Sequence, residues 1–247
     1  MENEYLPQRA MSIHAHPDDQ EFTVAGTLAK WARQGCQVIS VILTSGEAGS
    51  NDPAHDAAYK PTLARIREEE QRAANALLGV AETIFLRQPD GELEPTLPLR
   101  KEITKLIRRY RPDAVVTGDP QAVFYGNGYI NHPDHRAAAQ AATYAVFPSA
   151  GSRLLFADLL AEGYEPHNVK RLYLHGPEKP DTWVDVTATL EVKIAALRKH
   201  ASQLGDWDPE KMLREWAQEE GKEKGIPYAE AYKVMVLEGE EEGKPEN

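Results

Sequence analysis

The 247-residue chain has a single cysteine, Cys36, so no intramolecular disulfide can form and nothing points to an oxidising compartment. It lacks any apolar run of the roughly 18 residues that a membrane span needs. The stretch MENEYLPQRA has neither the basic start nor the apolar core of a secretory signal. The expectation is a soluble, cytoplasmic protein with no membrane span. Positive charge is scarce as well: 28 Lys and Arg stand against 39 Asp and Glu, a formal net charge of -11. Such a surface repels phosphates, which removes nucleic acid from the expected partners. The one basic cluster, Arg108, Arg109 and Arg111, falls at the end of an expected helix, where it complements the helix dipole.

Apolar residues make up 41% of the chain, enough to bury a sizeable core. One domain is expected over 1–237, followed by an acidic run with Gly and Pro at 238–247 whose composition predicts disorder. Apolar runs of strand length alternate with segments of helical periodicity, the pattern of βαβ units feeding a mostly parallel sheet. The predicted fold class is α/β, a Rossmann-like three-layer sandwich. Strands are expected at 10–15, 36–43, 83–86, 114–118, 169–175 and 183–186. Helices are expected at 21–34, 61–78, 97–110, 133–147, 187–200 and, more polar, within 205–225. Two polar loops, 44–60 and 119–132, each leave the carboxyl end of a strand. In open α/β sheets that is the end where the ligand crevice forms.

Two short stretches carry the chemistry. His16-Pro17-Asp18-Asp19-Gln20-Glu21 lies between the first strand and its helix. An aspartate there can cap the helix, but a cap accounts for one acid and not for the cluster. His132-Pro133-Asp134-His135 lies between the fourth strand and its helix. The residue before proline is held extended, so His132 is expected to project from the loop and His135 to lie in the first helical turn. Two neutral imidazoles and one carboxylate form a common ligand set for catalytic zinc, with one position left for water. A second carboxylate beside the site then serves as general base, and a remaining histidine stabilises the oxyanion or protonates the leaving group. Spacing alone does not say which aspartate does which.

These stretches resemble the LmbE-like family of N-acetylglucosaminyl-phosphatidylinositol de-N-acetylases, which includes the deacetylases of bacillithiol and mycothiol synthesis. AHPDDQEFTVAGTLA at 15–29 is similar to the family's first signature and HPDHRAA at 132–138 to its second metal motif. REEEQRAANALLGV at 67–80 is similar to its linking helix, and KIAALRKHASQ at 193–203 is a looser echo. Gln20 stands where the family often has glutamate, with Glu21 next to it, and Val24-Ala25-Gly26 replaces a more glycine-rich turn. The resemblance implies that His16, Asp19 and His135 bind the metal, Zn2+ or another divalent ion such as Fe2+. It implies Asp18 as general base and His132 facing the oxyanion. The implied reaction is hydrolysis of an N-acetyl group on an amino-sugar-containing small-molecule amide, and the implied assembly is a homo-oligomer, a trimer or hexamer.

Other candidates are weaker. Thr44 to Gly49 follows a strand but lacks the Gly-Lys-Ser/Thr of a phosphate loop, so it is read as cleft wall. Arg65 and Arg67 sit among Glu68, Glu69 and Glu70, which reads as surface ion pairing, and His200 has similar standing. Tyr125 and Tyr129 read as exposed loop aromatics. His14 shares a strand face with His16 and is read as a hydrogen-bonded core or supporting residue, while His55, His167 and His175 show no partner in the sequence. Two other functions fit the same donors: an Fe(II)-dependent oxygenase, whose facial triad is also two histidines and a carboxylate, and a non-catalytic metal-binding module.

Overall fold

A computed structural model of the chain describes residues 5–237; the acidic tail expected at 238–247 lies outside them. In chain order the strands are β1 (Arg9–His14), β2 (Gln37–Thr44), β3 (Glu82–Gln88), β4 (Ala114–Gly118), β5 (Phe124–Tyr125), β6 (Tyr129–Ile130), β7 (Arg171–His175), β8 (Thr182–Asp185) and β9 (Ala229–Val236). The helices are α1 (Asp19–Thr23), α2 (Ala25–Arg33), α3 (Lys60–Leu78), α4 (Leu97–Tyr110), α5 (Pro133–Tyr144), α6 (Asp158–Ala161), α7 (Leu190–Leu197), α8 (Ala201–Leu204) and α9 (Glu210–Lys222).

Seven strands form one sheet in the order β3-β2-β1-β4-β7-β9-β8, and β5 and β6 form a separate hairpin. The pairings of β1 with β2 and β4, β2 with β3, and β4 with β7 are parallel, whereas β9 runs antiparallel to β7 and β8. The sheet is therefore mostly parallel, as the alternating pattern predicted. Strand order reverses between β1 and β4. Ligands of doubly wound sheets bind at such a reversal, outside the carboxyl ends of the strands, and both motif-bearing turns leave the sheet there.

Both faces are covered, which is why β1 and β2 read as continuous apolar runs. On one face Met11, Ile13 and Val115 pack with Leu99, Ile103 and Ile107 of α4 and Ala138 and Ala142 of α5. On the other, Val38, Val116 and Tyr173 pack with Leu28 and Trp31 of α2. Local signals set the helix ends. The Thr96 side chain caps α4 by accepting from Leu99 N, and Gly79 closes α3 at φ 78, a conformation that needs no Cβ.

Three expectations change. The helix predicted over 21–34 is two helices, broken at Val24, and the one predicted over 133–147 ends at Tyr144. The chain then kinks within Ala145–Ala150, where Phe147 leaves helical angles ahead of Pro148, the extended conformation a following proline favours. Strand β9 was not foreseen. It supplies Glu230, whose carboxylate accepts from Gly26 N at 2.9 Å and Thr27 N at 2.8 Å, at the start of α2. A Cβ on Gly26 would lie 2.8 Å from both Glu230 Oε1 and the Val186 side chain, so only glycine lets the strand come this close.

Lys193 of α7 completes this clamp, donating to Glu230 Oε1 at 2.6 Å and to Thr23 O, the end of α1, at 2.8 Å. Both charged side chains are buried. Removing one partner of a buried ion pair strands the other charge, typically at a cost of about 3–5 kcal/mol. Glu230→Ala should lose stability of that order in urea unfolding, and the Glu230→Ala/Lys193→Met pair less than the sum of the singles. A loss below about 1 kcal/mol, within the range of a surface pair, would contradict the clamp.

Candidate active site

β1 delivers the chain into a turn at Ala15 to Asp18, and α1 begins at Asp19. Asp18 takes the N-cap position at φ 91, a left-handed conformation uncommon outside glycine, and its side chain makes no cap hydrogen bond. The capping reading of that aspartate therefore fails. Asp19 folds back instead, its Oδ2 accepting from His16 N at 2.9 Å. Beyond β4, Pro133 opens α5, and His132 is its N-cap, with Nδ1 accepting from Asp134 N at 3.2 Å.

The two turns meet. The His16 ring lies 5.0 Å from that of His132 and 5.1 Å from that of His135, centre to centre. The Asp19 carboxylate stands between two of them, with Oδ1 3.0 Å from His135 Nε2 and Oδ2 3.5 Å from His16 Nδ1. Ligand atoms of His16, His132 and His135 lie within 4.8 Å of one another, and so do those of His16, Asp90 and Asp134.

Supporting hydrogen bonds decide which nitrogen of each ring is free. His16 Nε2 lies 3.0 Å from Asp90 Oδ1 and 3.3 Å from Asp134 Oδ2, so its proton is held there and Nδ1 is the atom turned toward Asp19. His135 Nδ1 lies 3.1 Å from Asn131 Oδ1, which leaves Nε2 as the free atom. This is the usual arrangement of metal-binding histidines, whose second nitrogen donates to an acceptor. Two ring nitrogens thus face one carboxylate, a donor set that suits a cation.

The electrostatics agree. Burial works against charge on His16, but Asp19 and hydrogen bonds to Asp134, Asp19 and Asp90 prevail and raise its pKa to about 12. His135 is likewise raised, with Asp19 overcoming burial. Asp19 itself is held well below the carboxylate range, because His135 and His16 outweigh its burial. Protons gathered by such a cluster are what a divalent ion would replace, so the residues fit a metal.

The neighbouring aspartate lives differently. Burial pushes Asp18 up to about 6, against the pull of Arg67. Its Oδ2 lies 3.1 Å from the Arg67 guanidinium, which also donates to Pro17 O at 2.7 Å and Gly46 O at 2.9 Å. Arg67 is thus buried in the site and not a surface ion pair, because it lies on the inward stripe of α3 with Leu63, Gln71, Ala74 and Leu78. Arg65 does pair with Glu69 in solvent. His200 is also no surface group: it is fully buried, with Nε2 3.3 Å from Glu21 Oε2.

His132 is the most exposed of the three rings. Burial, with His16 and His135 nearby, lowers its pKa. With Nδ1 accepting, the neutral ring carries its proton on Nε2. Tyr125 and Tyr129 sit on the exposed β5–β6 hairpin, as expected for loop aromatics. Ser45 to Ala48 wall the site: Ala48 N donates to Asp90 Oδ2 and Glu47 Oε1 accepts from Asp90 N. His55 meets Ser50, and His167 meets Pro112 O. Three supporting residues escaped the sequence reading. Asp90 looks like any Pro-Asp-Gly turn, Asn131 like a loop residue, and Asp134, although inside a quoted motif, received no role.

Beneath the site, His14 stacks on His175 at 5.2 Å, with Ser12 Oγ 3.0 Å from His14 Nδ1. Burial depresses both, His14 to about 4 and His175 well below its usual value. Unfolded histidines take protons below about pH 6.5, while these folded ones stay neutral. Stability present above 6.5 is therefore lost as pH falls toward 4, with a slope of about 1.4 kcal/mol per pH unit for each proton. His175→Gln should flatten that decline by about one proton in unfolding measured from pH 7 to 4. An unchanged slope would contradict the assignment.

Residues 11–146 match the family described as PIG-L: GlcNAc-PI de-N-acetylase. A diacetylchitobiose deacetylase of Thermococcus kodakarensis is 34% identical over 237 residues, covering 92% of this chain and 83% of that protein. A 1D-myo-inositol 2-acetamido-2-deoxy-alpha-D-glucopyranoside deacetylase of Saccharomonospora viridis is 31% identical over 230 residues, covering 78% and 84%. The solved N,N'-diacetylchitobiose deacetylase of Pyrococcus horikoshii superposes with a TM-score of 0.84 at 32% identity, covering 93% of this chain and 84% of that one. A family match that takes in both turns, and relatives alike along most of their length, place the chain in the PIG-L, GlcNAc-PI de-N-acetylase, family.

Proposed function

We propose that this protein is a zinc-dependent N-deacetylase that hydrolyses the acetamide of an N-acetylglucosamine-type small molecule, releasing acetate and the free amine. The observation that carries the reading is the division of labour between adjacent aspartates. Asp19 faces two histidines at 3.0 and 3.5 Å, whereas Asp18 is turned by its left-handed backbone to Arg67. Two titratable neighbours in opposed environments are the mark of a site that both binds and moves charge. The deacetylases among the relatives support the acetamide as substrate.

In this reading His16 Nδ1, Asp19 and His135 Nε2 hold the cation. Bound there, zinc would polarise the acetamide carbonyl and make water acidic enough to attack near neutral pH. The Asp18 carboxylate takes a proton from the attacking water as the new C–O bond forms. His132 donates its Nε2–H to the carbonyl oxygen as negative charge develops on it. Asp18 then returns the proton to the sugar nitrogen as the C–N bond breaks, so the products are acetate and an amine. Arg67 keeps Asp18 aimed through both its carboxylate and Pro17 O.

We read the protein further as one domain over 1–237 that works in the cytoplasm, in keeping with a lone buried thiol, Cys36, and that assembles as a homo-oligomer. Among the described residues no helix is long and apolar enough to cross a membrane.

Metal-loaded protein should release acetate from N,N'-diacetylchitobiose or another N-acetylglucosamine derivative. Chelation should abolish the release and Zn2+ should restore it. Asp18→Asn should bind metal as the wild type does while losing about a hundredfold or more in kcat, the scale of removing a general base. Full activity in that variant would remove the proposed base, and no acetate from any acetamido sugar would remove the proposed function.

A further inference from the structure

The left-handed turn at Asp18 raises a question of backbone accounting. A residue at φ 91 points its N–H away from the helix that follows, and Asp18 is nine-tenths buried, so water does not serve that donor. A buried N–H without a partner is costly. The partner is Gln71 of α3, fully buried, whose Oε1 accepts from Asp18 N at 2.9 Å.

What keeps the Gln71 oxygen there is the opposite end of its amide. Gln71 Nε2 donates to Glu21 Oε1 at 2.9 Å and faces Asn75 Oδ1 at 3.4 Å. Both are acceptors, so the amide cannot flip without setting two oxygens against each other and an N–H against the Asp18 N–H. Glu21 is fixed in turn. Its Oε1 also accepts from Gln20 Nε2 at 2.8 Å, and its Oε2 lies 3.3 Å from Nε2 of the fully buried His200. Hydrogen bonds thus tie Glu21 through Gln71 to the backbone of Asp18, with His200 packed behind Glu21. Neighbouring branches tie the same network to Ser40, whose hydroxyl donates to Gln20 Oε1, and to Thr83, which accepts from Asn75 Nδ2.

Helix α3 therefore grips Asp18 twice. Arg67 holds its carboxylate and Gln71, one turn further on the same face, holds its main chain. We propose that Gln71, locked by Glu21, is the positioning residue that maintains the left-handed backbone of Asp18 and so aims its carboxylate for proton transfer. The inference rests on the reading of Asp18 as general base. Gln71 hydrogen-bonds Asp18 N, Glu21 and Asn75 and none of His16, Asp19, His132 or His135, so its loss acts on the reaction through Asp18.

Substitution Gln71→Met removes the acceptor at similar length. In the full-length, zinc-loaded protein it should lower kcat on N,N'-diacetylchitobiose about tenfold to a hundredfold, the scale of a misaimed reacting group. KM should stay within about twofold of the wild type, since the change lies in aim and not in uniform binding, and the metal content per chain should be unchanged. Hydrogen exchange read at the Asp18 amide should be slow in the wild type and fast in Gln71→Met, with sheet amides unaffected. This readout needs no turnover. A wild-type Asp18 amide exchanging at the rate of an open loop overturns the proposal even if the variant does not fold. So does a Gln71→Met protein with wild-type kcat, or one whose lost kcat is matched by lost metal. If Asp18→Asn is inactive while Gln71→Met is not, this inference alone fails. If Asp18→Asn is fully active, the base assignment fails, and this inference with it.

Discussion

The carboxylate of Asp19, caught between His16 from one turn and His135 from another, is the contact on which the rest of the site depends. Its partners come from segments more than a hundred residues apart, and what brings them together is the reversal of strand order between β1 and β4. Turns that leave neighbouring strands on either side of a reversal diverge enough to open a crevice, yet remain close enough to share one ion. The fold brings the two turns together, and the acids and imidazoles they carry suit a cation.

Around that contact the acids fall into distinct jobs by what they touch. Asp90 and Asp134 never face the free nitrogens; they take the proton of His16 Nε2 and fasten the surrounding loops, Asp134 through Gly91 N and Leu93 N, Asp90 through Ala48 N. A ring gripped this way is held in orientation, so its Nδ1 stays turned toward Asp19. Asp18 is kept apart by backbone conformation. One left-handed residue turns two adjacent carboxylates to different partners, a local strain that the buried polar contacts of α3 hold in place.

The α/β class and the family were legible because they rest on local signals: strand-length apolar runs, helix stops such as Gly79, and two His-Pro-Asp turns at strand ends. The supporting layer was not, and for a physical reason. Asp90 sits in a Pro-Asp-Gly sequence that any turn would use, and Arg67 precedes three glutamates that suggest a solvated helix face, while the inward stripe of α3 actually carries it. The break at Val24 frees N–H groups at the start of α2 that Glu230, 204 residues from Gly26, accepts, a partner no local pattern reveals. Strand β9 itself, AEAYKVMV, mixes Glu230 and Lys233 with its apolar residues, so its place inside the sheet shows only once Lys193 and the α2 N-terminus are seen to satisfy the buried acid.

In the proposed function both turns grip a single ion through His16 Nδ1, Asp19 and His135 Nε2. Diffraction from crystals of the metal-loaded protein, collected on both sides of the zinc absorption edge, locates such an ion directly. One anomalous peak bonded to those three side chains is expected, with Asp18 and His132 beside it but unbonded. A peak seated instead on His16 Nε2 between Asp90 and Asp134, or His16 and His135 found binding separate ions, would contradict it.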